Sequence, residues 1–211
     1  MFAKLKDDAR YYFALRYPGR ACTRLGLLTT TVRSPGMLIL ATQRIGNAYA
    51  QSRVRHGWTP GNFALRVMLI PCSVLLIFLT KSSVLNTAGV DGGVYLANGG
   101  NLILGVRRIG RGSMIHERVT FGMDVTTYES KLPTIEENVW IGPGSLVYGA
   151  ITIGSGATIL PGSVVARSVP ARAVVSGNPA RVIARDRNNA ILRETLQADD
   201  AHVVTALQLG A

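Results

Sequence analysis

The stretch SMIHERVTFGMD, residues 113–124, sets His116 beside Glu117. An imidazole that titrates near neutral pH can take a proton from a hydroxyl, provided that a carboxylate or carbonyl fixes its tautomer. The chain has three histidines, and His116 is the one inside the repeat described below. Neighbouring side chains on an extended segment point to opposite sides, so Glu117 is poorly directed toward His116. Asp124, Glu129 or a carboxylate of a second copy serves that role better. Lone histidines often do no chemistry, so two readings stand side by side: proton-transfer base, or structural and binding residue.

The elements that would position such a site emerge from composition and pattern. With 211 residues the chain suits one large domain or one domain plus a subdomain. Lys and Arg number 23 against 12 acidic residues, a net charge of +11. The excess favours a polyanionic partner such as an anionic membrane face, an acidic glycan or a phosphorylated cofactor. The basic residues are dispersed and carry no zinc-finger, RNP or basic-zipper spacing, so no nucleic acid is expected. Cys22 and Cys72 form no C-x-x-C, which argues against a disulfide framework and against a bound metal. The N-terminus MFAKLKDDARYYF lacks the features of a secretory signal, and a cytoplasmic, reducing location is expected. The apolar run from Val67 to Leu79 falls short of the ~20 residues of a spanning helix. It reads first as a buried helix and second as an interfacial one, in peripheral contact with the inner membrane face.

Apolar spacing predicts a helix over Lys4 to Leu15 and a second one from Pro35, with Ser34 as N-cap. The apolar run makes a third, kinked at Pro71. Residues 1–85 therefore read as an α-helical N-terminal region. From residue 86 the texture changes. Large apolar residues recur every sixth position at Ile109, Ile115 and Phe121, then at Ile135, Ile141, Val147, Ile153, Ile159 and Val165. Four places after each stands a small or branched residue, such as Ser113, Val119, Val125, Val139, Ser145 or Ser163. Glycine often follows directly, as at Gly110, Gly122, Gly142 and Gly154.

A period of six suits a short extended segment plus a corner, three of which close an 18-residue triangular coil. The fold class predicted is mainly β, a parallel β-helix over residues 86–184, followed by a short helical tail over 185–211. Between Phe121 and Ile135 the step is longer by about eight residues, roughly Thr126 to Pro133. Such an insertion leaves the stack as a loop, where sites are often built.

These motifs together resemble the hexapeptide-repeat acyltransferases of the left-handed β-helix type. The likeness is carried by SPGMLILATQRIGNAYA, GGVYLANGGNLILG, IHERVTFG, PTIEENVWIGPGSLVYGAITIGSGATILPGSVV and SGNPARVI. It is strongest to serine acetyltransferases and their relatives in polysaccharide gene clusters. The resemblance implies a homotrimer with acetyl-CoA lying between neighbouring subunits and a histidine that removes a proton from the acceptor hydroxyl. The family's base falls on Asn98, which takes the position of a substrate contact here, and its second histidine falls on Leu132. Neither residue can accept a proton, so the resemblance moves the catalytic roles to His116 and Glu117, with Glu129 as a substrate contact. Gly122, Gly144, Gly162, Asn178 and Arg181 are the implied cofactor contacts, and Arg167, Arg172 and Arg185 are further arginines able to pair with phosphates. The function expected is O-acyl transfer, of acetyl above all, to a saccharide or sugar-lipid hydroxyl. Serine O-acetylation, or CoA binding without turnover, are the alternatives.

Overall fold

The computed structural model describes residues 2–17, 21–56, 61, 64, 67, 70–71, 74–75, 78, 80–84, 88–97, 100–123 and 132–194, and every structural statement concerns these. Three helices open the chain: α1 (Phe2–Arg16), α2 (Arg24–Arg33) and α3 (Pro35–His56). The second lies outside the sequence expectation. It starts where the Thr23 side chain accepts the Gly26 amide at 3.1 Å, and Thr30 and Thr31 return their hydroxyls to carbonyls one turn back. Helix α3 begins at Pro35, and the Ser34 carbonyl accepts the Leu38 amide at 3.1 Å. A short helix, Ala190–Glu194, represents the predicted tail.

Between the helical ends the chain winds into a three-sided prism of parallel strands. One side stacks β1 (Ser83–Val84), β4 (Ile103–Leu104), β7 (Thr120–Gly122), β10 (Leu146–Tyr148) and β13 (Val164–Val165). The second stacks β2 (Gly89–Val90), β5 (Arg108–Ile109), β8 (Thr134–Ile135) and β11 (Thr152–Ile153). The third stacks β3 (Tyr95–Leu96), β6 (Met114–Ile115), β9 (Trp140–Ile141), β12 (Thr158–Ile159), β14 (Val174–Gly177) and, antiparallel at the top, β15 (Ala180–Ala184).

The six-residue period is the geometry of this prism. Ile135, Ile141, Val147, Ile153, Ile159 and Val165 all point inward and are buried, each above its copy in the coil below. Burying one such side chain contributes about 1.5–3 kcal/mol. The small residues that follow seal the corners. Ser113 Oγ donates to the Glu136 carbonyl at 2.8 Å and accepts from the Val139 amide at 3.1 Å, which ties adjacent coils together. Below Ile109 the phase slips: Val90, Leu96 and Leu104 are the inward residues, and Ile103 is exposed. The insertion enters cleanly, since Ile109 pairs with Ile135, a step of 26, and Ile135 with Ile153, a step of 18.

The glycines after the inward residues exist for close approach. A Cβ on Gly110, Gly142 or Gly154 would sit 2.5–2.7 Å from the backbone of the coil above. The glycines two places further on turn the chain instead: Gly144 and Gly162 adopt φ of +69°, a region that glycine enters without penalty.

An open stack leaves unpaired amides and carbonyls at its ends. At the bottom, side chains from the helices satisfy them. The Tyr12 hydroxyl donates to the Leu96 carbonyl at 2.7 Å and accepts its amide at 2.8 Å, and this burial pushes the phenol well above its usual range. Arg44 donates to the carbonyls of Val90 and Asp91 and forms a buried two-point pair with Asp8, whose Oδ1 also takes the Gly93 amide. Burial pushes the Asp8 carboxyl up, against the pull of Arg44 and of the Gly93 amide. Gln43 and Asn47 both donate to Ala88. At the top β15 pairs antiparallel with β14 and ends the stack on that side.

The expected buried helix over Val67–Leu79 is corrected in part. Residues 67, 70, 71, 74, 75 and 78 are helical, but Val67, Ile70, Val74, Leu75 and Phe78 are exposed. No described helix is long and apolar enough to cross a membrane.

Candidate functional site

Because the strands of the third side run parallel, their C-terminal ends share one edge of the prism. His116 follows β6 at this edge, one coil above Ala97, whose amide donates to the Ile115 carbonyl at 2.8 Å. The imidazole alternates outward, on the same face as Met114 and opposite to the inward Ile115. It is only 7% exposed, and Nε2 is buried. Its ring centroid lies 4.8 Å from that of Trp140, with the planes inclined at 53°. Tilted ring contacts of this kind fix orientation as well as adding apolar burial. Its backbone amide donates to Ile141 at 3.1 Å, so the position is held from two directions.

Trp140 was not among the residues singled out from sequence. The signal available was its place immediately before an inward isoleucine, in the column Tyr95, Met114, Trp140 and Thr158. All four are buried, although they face away from the prism axis.

The remaining candidates divide by location. Glu117 is half-buried at the turn after His116, and its carbonyl accepts the Gly144 amide at 3.0 Å. Gly144 and Gly162 stack above it on the same edge, and a Cβ at either would meet nothing within 4 Å. The backbone there is open to a ligand. Asn178 follows β14 and continues that edge at the top, and Arg181 on β15 pairs with Ser176 beside it. Gly122 ends β7 and so belongs to a different edge, where a Cβ would also find open space. Leu132 stands on that second edge, near Gly105. Arg172 belongs to the third edge, where it lines a cavity of about 390 Å³ with Ser155, Arg187 and Asn188. Arg172 is therefore not grouped with His116. Asn98, Asp124, Val125 and Glu129 lie outside the described residues, as does most of the insertion. No group of three or more His, Cys, Asp or Glu able to hold a metal ion occurs among the described residues.

Stacked six-residue units on three parallel faces define a hexapeptide-repeat β-helix protein, and residues 133–167 match the bacterial transferase hexapeptide (six repeats) family. Over part of its length the chain is similar to serine acetyltransferases, and it shares the left-handed β-helix fold of solved ones. Serine acetyltransferase of Synechococcus elongatus is 33% identical over 138 residues, covering 64% of this chain and 57% of that protein. Serine acetyltransferase 2 of Arabidopsis thaliana is 35% identical over 97 residues, covering 46% of this chain and 30% of that one. The chain thus spans less than two thirds of the length of these curated relatives. Among solved structures, serine acetyltransferase from Brucella abortus in complex with coenzyme A superposes with a TM-score of 0.69 at 21% identity, over 89% of this chain and 69% of that one. The Neisseria gonorrhoeae enzyme in complex with serine gives 0.67 at 20%, over 87% and 69%.

Proposed function

We propose that the protein transfers an acetyl group from acetyl-CoA to a hydroxyl, in the manner of the serine acetyltransferases that it resembles. One observation carries the reading: the edge that holds the imidazole of His116 also holds the open backbone of Gly144 and Gly162. His116 is the base that takes the hydroxyl proton, and the oxygen then bonds to the thioester carbonyl carbon as the carbon–sulfur bond breaks. The proton returns to the departing thiolate. Gly144, Gly162, Asn178 and Arg181 would hold the CoA moiety, glycine by admitting it close to the backbone and Arg181 by matching phosphate geometry. Trp140 orients the imidazole, and a carboxylate of a neighbouring copy supports its tautomer. In this reading copies assemble as trimers, with Asn98 and Glu129 as acceptor contacts.

L-Serine is the first acceptor to test, because the relatives named above are serine acetyltransferases. A saccharide hydroxyl is the second, and one observation favours it. Where the resemblance puts a second histidine this chain has Leu132, which cannot bond an acceptor. Acetyl-CoA mixed with each acceptor should release free thiol, and His116→Asn should lower the rate by about 10²–10⁴. Release with L-serine supports the first acceptor, and release with saccharides alone supports the second. Coenzyme A binding without release from either, unchanged in His116→Asn, defeats the catalytic reading.

A further inference from the structure

Of the described helical residues between 61 and 80, those at 61, 64, 67, 70, 71, 74, 75 and 78 follow helical spacing along one stripe and are exposed, while Thr80 lies off it and is half-buried. The stripe reads Gly61, Ala64, Val67, Ile70, Pro71, Val74, Leu75 and Phe78 and contains no polar side chain. Val67 is 54% exposed and Phe78 83%. Single exposed apolar residues mean little, but a continuous stripe over several turns marks a surface that something covers.

Charge identifies the occupant. From residue 9 to residue 90 the chain holds ten Lys and Arg and no Asp or Glu. Arg53 and Arg55 precede the stripe at the end of α3 and Lys81 follows it, and all three are exposed. A second copy docked two-fold through this face would bring like charge against like charge, since such a contact sets a patch against itself. A bilayer rich in anionic phospholipid accepts both features at once: acyl chains take the apolar stripe and headgroups take the flanking cations. We infer that this stripe docks the protein on an anionic membrane surface, lying in the interface without crossing it.

The full-length protein should float with vesicles of phosphatidylcholine and phosphatidylglycerol, and not with phosphatidylcholine alone. Leu75→Glu with Phe78→Glu should lower the partition at least tenfold. Arg55→Gln with Lys81→Gln should lower it about fivefold per charge, and salt should erase that difference. Three results would overturn the inference: no flotation with either vesicle, equal flotation with both, or a glutamate variant that still binds but sediments as a smaller species. The last would assign the stripe to contact between copies. Circular dichroism checks the fold of the glutamate variant, and if that variant fails to fold, the charge variant decides by the same readout.

Discussion

The second and third sides of the prism are built from the same unit, yet their outer surfaces are opposites. On the second side the residues before each inward aliphatic are Gly89, Arg108, Thr134 and Thr152, and none of them is buried. On the third they are Tyr95, Met114, Trp140 and Thr158, and all are buried. Helices α1 and α3 pack against β3, and Tyr12 lies 4.8 Å from Tyr95, ring to ring. The inward column makes the coil. The outward column decides what a side is for: solvent in one case, and helix docking together with the His116 and Trp140 pair in the other.

The largest test of that contrast is Trp140→Ala. Removing a buried indole should cost about 3–5 kcal/mol and, since the indole also orients His116, lower turnover. Denaturant unfolding and thiol release measure the two losses separately. Tyr12→Phe comes next. It strands the amide and carbonyl of Leu96 inside the molecule, and a loss of about 1–3 kcal/mol is expected from the shift in unfolding midpoint.

On the second side the effects shrink. Partial burial pushes the Asp91 carboxyl up, but Arg108 at 2.7 Å, together with Lys4, overcomes this and holds it below the ordinary aspartate value. A carboxyl depressed in the folded state stabilises above its unfolded value and loses that contribution as pH falls through the folded one. Asp91→Asn should therefore remove less than about 1 kcal/mol at neutral pH, and the difference from the parent should begin to shrink as the pH falls to the ordinary aspartate value and vanish only below the depressed folded one. Thr152→Ala, on the exposed outer face, should stay within about 0.5 kcal/mol. A drop at Thr152 as large as that at Trp140 would break the comparison.

How much of this could be read from sequence follows the same division. The inward column from Ile109 to Val165 was legible because a fixed step of six has no other simple explanation. The lower coils were not, because Leu96 to Leu104 and Leu104 to Ile109 are unequal steps and the exposed Ile103 mimics an inward residue. Helix α2 was hidden by Gly26 and the run of Thr29, Thr30 and Thr31, which lower helix propensity and are accommodated here by hydroxyls bonded to carbonyls within the helix. His116 stood out as the one histidine in the repeat. Trp140 did not, since nothing in a period of six says which outer face another element will cover.

The long step between Ile109 and Ile135 leaves every rung above and below it aligned. Wound structures of this kind tolerate added length at a bend as a spring tolerates a side hook: pitch and diameter are untouched. A change in the length of the chain between Met123 and Leu132 thus need not move His116 or Trp140. The length of that segment and the integrity of the scaffold are then free to vary independently.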